Sequence, residues 1–159
     1  MYTSRSQPKL NAKMGLIITS ILSLVNAGIG TMLAIKENLP SVTPIITTGK
    51  PALEDFLTGN GTALSPPLYL CIVTLLLILL TFQPKRTGMV GVIGLTILGG
   101  IFLLGEFVET NTYRALNPVS FNLPVALVIL AEIVLALLMI AFGGITIFQE
   151  RQAHHQAPR

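Results

Sequence analysis

The chain of 159 residues is 52% hydrophobic and only 11% charged, with a mean hydropathy of +0.74. Soluble domains carry about 25% charged residues, so the composition points to lipid and away from an ordinary water-soluble domain. The net charge of +3 is spread over short flanks and predicts no nucleic-acid partner, and the lone Cys71 excludes an internal disulfide framework or a paired-thiol relay.

Residues 1–13 are polar and basic, with Arg5, Lys9 and Lys13 and no acid. The apolar run 14–35 has full spanning length, about 20 residues being enough. Val25 and Ala27 have the small-residue spacing that a signal peptidase accepts. Hydrophobicity continues past them through Ile29, Met32, Leu33 and Ile35, so an uncleaved first helix is expected.

Residues 36–67 form the longest polar segment and are read as an outer loop. Pro40 and Pro44 predict an irregular path at its start. Pro51 to Leu57 reads as a short helix stopped by Gly59, with Leu53, Phe56 and Leu57 on one side at the bundle rim or lipid headgroups. Asn60-Gly61-Thr62 matches a glycosylation acceptor, for which a glycine turn is the plainer explanation.

The second span, 68–82, is the shortest, so Pro66 and Pro67 are expected in its first turn at membrane depth. The basic connector 83–87 makes the second and third spans antiparallel neighbours. In the third span, 88–108, the glycines Gly88, Gly91, Gly94, Gly99 and Gly105 fall within one face of roughly 140° at helical spacing, together with Glu106 and Glu109. A second outer loop, 109–122, leads to the fourth span, 123–148, opened by Pro124. The remainder, 149–159, reads as a solvated tail whose His154-His155 pair has no further ligand at metal-binding spacing.

The predicted fold is therefore an all-α integral membrane protein: one membrane domain over 1–159, a four-transmembrane-helix bundle, left-handed and mostly antiparallel, with the third span central. With both termini on one side, that side holds Arg5, Lys9, Lys13, Lys85, Arg86, Arg151 and Arg159, and the other holds Lys36, Lys50 and Arg114. This bias predicts cytoplasmic N and C termini in a cell membrane, with a bacterial inner membrane favoured.

Each span carries one face that lipid would not select. Gly15, Thr19, Ser23, Asn26, Gly30 and Ala34 align on the first, and Cys71, Thr74 and Thr81 on the second. Glu132, Ala136, Met139, Gly143 and Thr146 align on the fourth. Gly91, Gly94, Gly99 and Gly143 are the candidate helix-packing positions, because small residues allow close backbone approach, while the side of Leu103 is expected to meet lipid. Glu132 is the most informative residue. A carboxylate at that depth costs several kcal/mol unless it is paired, hydrated or protonated, and Asn26 lies at similar depth to bond it. Glu106 and Glu109, nearer the interface, offer an acidic vestibule for a cation, or else an interfacial helix end with Arg114 near Glu109.

No catalytic, metal or cofactor pattern occurs, and no motif carries a family resemblance. The expected function is that of a small, non-enzymatic polytopic membrane protein acting by helix packing, as an accessory subunit of a larger membrane complex or as a homo-oligomer. The alternative is a small proton- or cation-coupled transporter using Glu132, with Asn26, Glu106 and Glu109 along its route.

Overall fold

The computed structural model describes residues 7–42, 49–119 and 121–156, with side chains from residue 12 to 153 apart from 43–48, 85 and 120. Pro44, Arg5, Arg159 and the side chains of Lys9, Lys85 and the histidine pair lie outside the described set. The chain is helical throughout its ordered elements: α1 (Gln7–Glu37), α2 (Ala52–Thr58), α3 (Leu68–Thr81), α4 (Lys85–Val108), α5 (Thr110–Leu116) and α6 (Leu123–Gln156). Among the described residues, α1, α4 and α6 are long and apolar enough to cross a membrane, and α3 is a shorter apolar helix.

Local chemistry sets the boundaries. Asn38, at φ 49°, takes the left-handed turn that ends α1, and the Leu39 N–H closes back on the Ala34 carbonyl at 2.8 Å. The Asn38 side chain then accepts a bond from the first N–H of α2, Ala52, at 3.3 Å. Pro51 precedes α2, whose first turn holds Glu54 and Asp55 where the helix dipole favours acids. Pro67 and Pro84 precede α3 and α4 in extended conformation, each ending the segment before it.

Four helices form the bundle, and α2 and α5 cap one end of it. α6 packs against both α1 and α4, α3 packs against α4, and α1 meets α3 along a smaller contact; α4 touches all of the other three. The large contacts are antiparallel. Gly91 of α4 faces Thr81 while Gly94 faces Leu77, and on the other side Gly99 faces Met139 while Thr96 faces Gly143. Likewise Gly15 of α1 meets Phe142 of α6, and Asn26 meets Val128. The start of α1 and the end of α6 therefore share one end of the bundle.

The interior is layered. One apolar cluster, including Leu16, Val92, Leu95, Phe102 and Met139, fills the half toward the termini. A second, including Ala34, Leu64, Val128 and Ile129, lies under the cap. Between them runs a polar layer of Ser23, Asn26 and Glu132, all buried. Outward-facing Met32, Leu76, Leu104 and Leu127 give the bundle an apolar exterior suited to acyl chains.

Five expectations are corrected. Pro67, expected inside the first turn of α3, precedes that helix in extended conformation, and α3 starts at Leu68. Gly105, expected on the packing face of α4, is exposed with nothing of this chain within 4 Å of a Cβ position, because α4 borders the cavity at that level. α1 begins at Gln7 and α6 continues to Gln156, so the polar flanks extend helices already nucleated by the apolar runs, and residues 149–156 are not a tail. Residues 110–116, expected as loop, form α5, because the Glu109 side chain accepts from the Asn111 N–H and starts a helical turn. Leu103 packs partly against the first core cluster, and it is Leu104 that faces outward.

The four packing glycines sit at these contacts. A Cβ on Gly91 would lie 2.7 Å from the Thr81 nitrogen and one on Gly99 would lie 2.9 Å from Met139 Cβ. One on Gly94 would meet the Leu77 side chain, and one on Gly143 would overlap the Thr96 hydroxyl. Overpacking of this kind costs about 1–3 kcal/mol or more. Gly91→Leu and Gly99→Leu are therefore expected to lower thermal stability in detergent or to abolish a monodisperse product, whereas Leu104→Phe should leave the melting curve unchanged.

Candidate functional site

The polar layer is built by α1 and α6. Helical spacing places Ser23 and Asn26 on one face of α1, together with Thr19 and Gly30, and that whole face is buried. Ser23 Oγ donates to Glu132 Oε1 at 2.6 Å, and Asn26 Nδ2 donates to Glu132 Oε2 at 2.9 Å. The same amide nitrogen reaches the Val128 carbonyl at 3.1 Å. Both carboxyl oxygens of Glu132 thus have a donor from the neighbouring helix. Thr19, Thr74, Thr81, Thr96 and Thr146 instead bond carbonyls of their own helices, which satisfies each hydroxyl without creating a route between helices.

Glu109, between α4 and α5, holds the cap. Ser41 Oγ donates to its Oε2 at 2.8 Å, the Val42 N–H to its Oε1 at 2.9 Å, and Asn111 Nδ2 to Oε1 at 3.3 Å. The Thr110 N–H returns a bond to the Val42 carbonyl at 2.9 Å. The carboxyl group is buried and ties the first loop to the end of α4. The remaining cap is a hydroxyl chain: Ser65 Oγ lies 2.8 Å from Thr31 Oγ1 and 2.9 Å from Thr62 Oγ1. Gly30 lets the Leu64 carbonyl rest directly on α1, where any Cβ would collide with it. Gly61, at φ 99°, makes the turn, and Thr62 is buried, which accounts for Asn60-Gly61-Thr62 as a structural turn.

Glu106 is half-buried and receives one long bond, from Thr112 Oγ1 at 3.4 Å. Glu106, Glu109 and Glu132 all line one cavity of about 350 Å³ beneath the cap, with Thr62, Ser65 and Phe102 among its other walls. The structure therefore brings the three acids of the sequence-based site to a common space and bonds Asn26 to the deepest of them. Among the described residues, no group of three His, Cys, Asp or Glu side chains is placed to hold a metal ion.

The partners Ser41 and Val42, and the hydroxyls of Thr62 and Ser65, carried no signal in the sequence. They belong to loops whose contacts depend on the cap closing over the bundle. Ser23 was visible only as a member of the small-polar face, without its bond to Glu132. No protein-family model, curated protein or solved structure matches the chain.

Interhelical hydrogen bonds in bilayers average about 0.6 kcal/mol and reach about 1.7. A double-mutant cycle on Asn26→Ala and Glu132→Ala should accordingly yield a coupling energy of about 1 kcal/mol in unfolding experiments. Glu109→Ala should destabilise by about 1–3 kcal/mol, because it strands the Val42 N–H and the Ser41 hydroxyl. By contrast Lys50→Gln, which breaks the exposed pair with Glu54, should change stability by less than about 0.5 kcal/mol.

Proposed function

We propose that this chain is a non-enzymatic, four-span protein of a cell membrane, bacterial inner membrane favoured, which acts by helix packing as an accessory or self-associating subunit. In this reading both termini are cytoplasmic, as the bias of basic residues toward the termini end supports. α3, at 14 residues, rises about 21 Å and completes its crossing with the extended Pro66-Pro67 segment and with Phe82.

The observation that carries the proposal is the division of the intramembrane glycines into two sets. Gly91, Gly94, Gly99 and Gly143 are used inside the bundle, whereas Gly28 on α1, Gly100 and Gly105 on α4 and Gly144 on α6 have nothing of this chain within 4 Å of a Cβ position. Gly28 and Gly144 are exposed. In lipid, such bare positions are where a further helix gains close van der Waals contact. In-membrane crosslinking and native mass spectrometry of the full chain should detect a second subunit. Gly28→Leu or Gly144→Leu should reduce that association while the monomer keeps its melting temperature. A chain recovered from native membranes as a lone monomer, with no crosslinked species, would sink the reading.

The acid-lined cavity favours the second reading, a proton- or cation-coupled pathway through Glu106 and Glu132. Its test is flux into liposomes, with Glu132 intact and as Glu132→Gln. Flux above empty liposomes that falls at least tenfold in the variant would support it, and equal fluxes at the empty-liposome level would remove it.

A further inference from the structure

The end of the bundle opposite the cap carries a second, larger cleft of about 840 Å³. Three helices contribute one cation each to its walls: Lys13 from α1, Arg86 from α4 and Arg151 from α6. One acid, Glu150, is also present, which leaves a formal excess of two positive charges. Among the described residues none of the three cations is ion-paired, while Lys50, at the capped end, has Glu54 at 3.1 Å. The cleft continues from these charges onto an apolar wall of Phe82, Val92 and Ile93. Phe82 and Ile93 are exposed on the outer surface of the bundle.

Cations at the rim and an apolar wall running into the lipid-facing surface are the two halves of an amphiphile's complement. A soluble anion would use only the first half. We infer that this cleft binds an anionic phospholipid, its phosphate held between Lys13, Arg86 and Arg151 and its acyl chain laid along Phe82 and Ile93. Basic pockets between membrane helices recognise acidic headgroups in this way, with each Lys or Arg contributing about a fivefold gain in affinity for an acidic surface. The guanidinium groups add bidentate geometry toward phosphate oxygens. The site is walled by three helices of which α1 and α4 share only a small contact, so an occupant would tie those two together across it. It is independent of whether a partner chain binds elsewhere.

The test uses the full-length protein in mixed nanodiscs containing equal phosphatidylglycerol and phosphatidylcholine, released into native mass spectrometry. The intact protein should retain phosphatidylglycerol preferentially, and each of Lys13→Gln, Arg86→Gln and Arg151→Gln should reduce that preference about fivefold. Arg86→Lys and Arg151→Lys, which keep the charge, should retain most of it, and Lys50→Gln at the other end should retain all of it. Millimolar inorganic phosphate should not displace the lipid. Equal retention of the two lipids by the intact protein, or an undiminished preference in the triple Gln variant with an unchanged melting temperature, would overturn the proposal. Displacement by inorganic phosphate alone would also overturn it, by assigning the cations to a free anion.

Discussion

Helices in a bilayer gain nothing from hiding apolar side chains from one another, because acyl chains are equally apolar. What holds this bundle together must therefore come from polar bonds between helices and from close backbone contact. The bond set around Glu132 is the strongest example of the first. It joins the middle of α1 to the first third of α6 at the inner wall of the cavity, and it fixes both the rotation and the register of the two helices. A turn of α6 by one residue would withdraw the carboxyl group from Ser23 and Asn26 and leave three polar groups without partners in an apolar layer. The glycine contacts of α4 act in the same direction, since Gly91 and Gly99 admit α3 and α6 only at one sliding position.

The cap has a different logic. Around Glu109, main-chain groups of a loop must find partners without water on the inner side. The side chain of Glu109 supplies acceptors for Val42 and Ser41, and the loop supplies the Val42 carbonyl for Thr110. Thr62, Ser65 and Thr31 close a second set of bonds against α1. The result is a polar lid that seats Leu64 against Ala34 and Ile129, with a cavity left where the lid does not fill the space between α3 and α4.

The helical membrane character was legible because spanning length and apolar composition depend on no tertiary contact. The inward faces were legible for a related reason: a helix has a fixed angular period, so Ser23, Asn26 and Glu132 had to lie on the small-polar sides of their segments. Periodicity cannot say where a polar extension stops being helical, which is why Gln7–Lys13 and Gln149–Gln156 differ from the expectation. Nor can it separate neighbouring positions at the edge of a face, as Leu103 and Leu104 demonstrate. Glu109 was recognisable as an acid near an interface. Its role as clamp of the first loop was not, because Ser41 and Val42 are common residues brought to it only by the folded cap.

The sequence of layers along the bundle bears on how Glu132 is to be understood. From the capped end inward there are the acid-lined cavity, the Ser23–Asn26–Glu132 layer, and then the apolar cluster of Leu16, Leu95, Leu98 and Met139, all of them buried. Beyond that cluster lies the basic cleft. A cation that entered from the cavity and reached Glu132 would next meet several ångströms of close-packed aliphatic side chains, and then a region of positive potential. Both oppose its passage, the first through lost hydration and the second through charge repulsion. The acid-lined cavity and the basic cleft are thus separated by a layer of buried apolar side chains. That arrangement favours Glu132 as the fastening between α1 and α6 over Glu132 as a station on a through route, and it leaves each end to interact with its own surroundings.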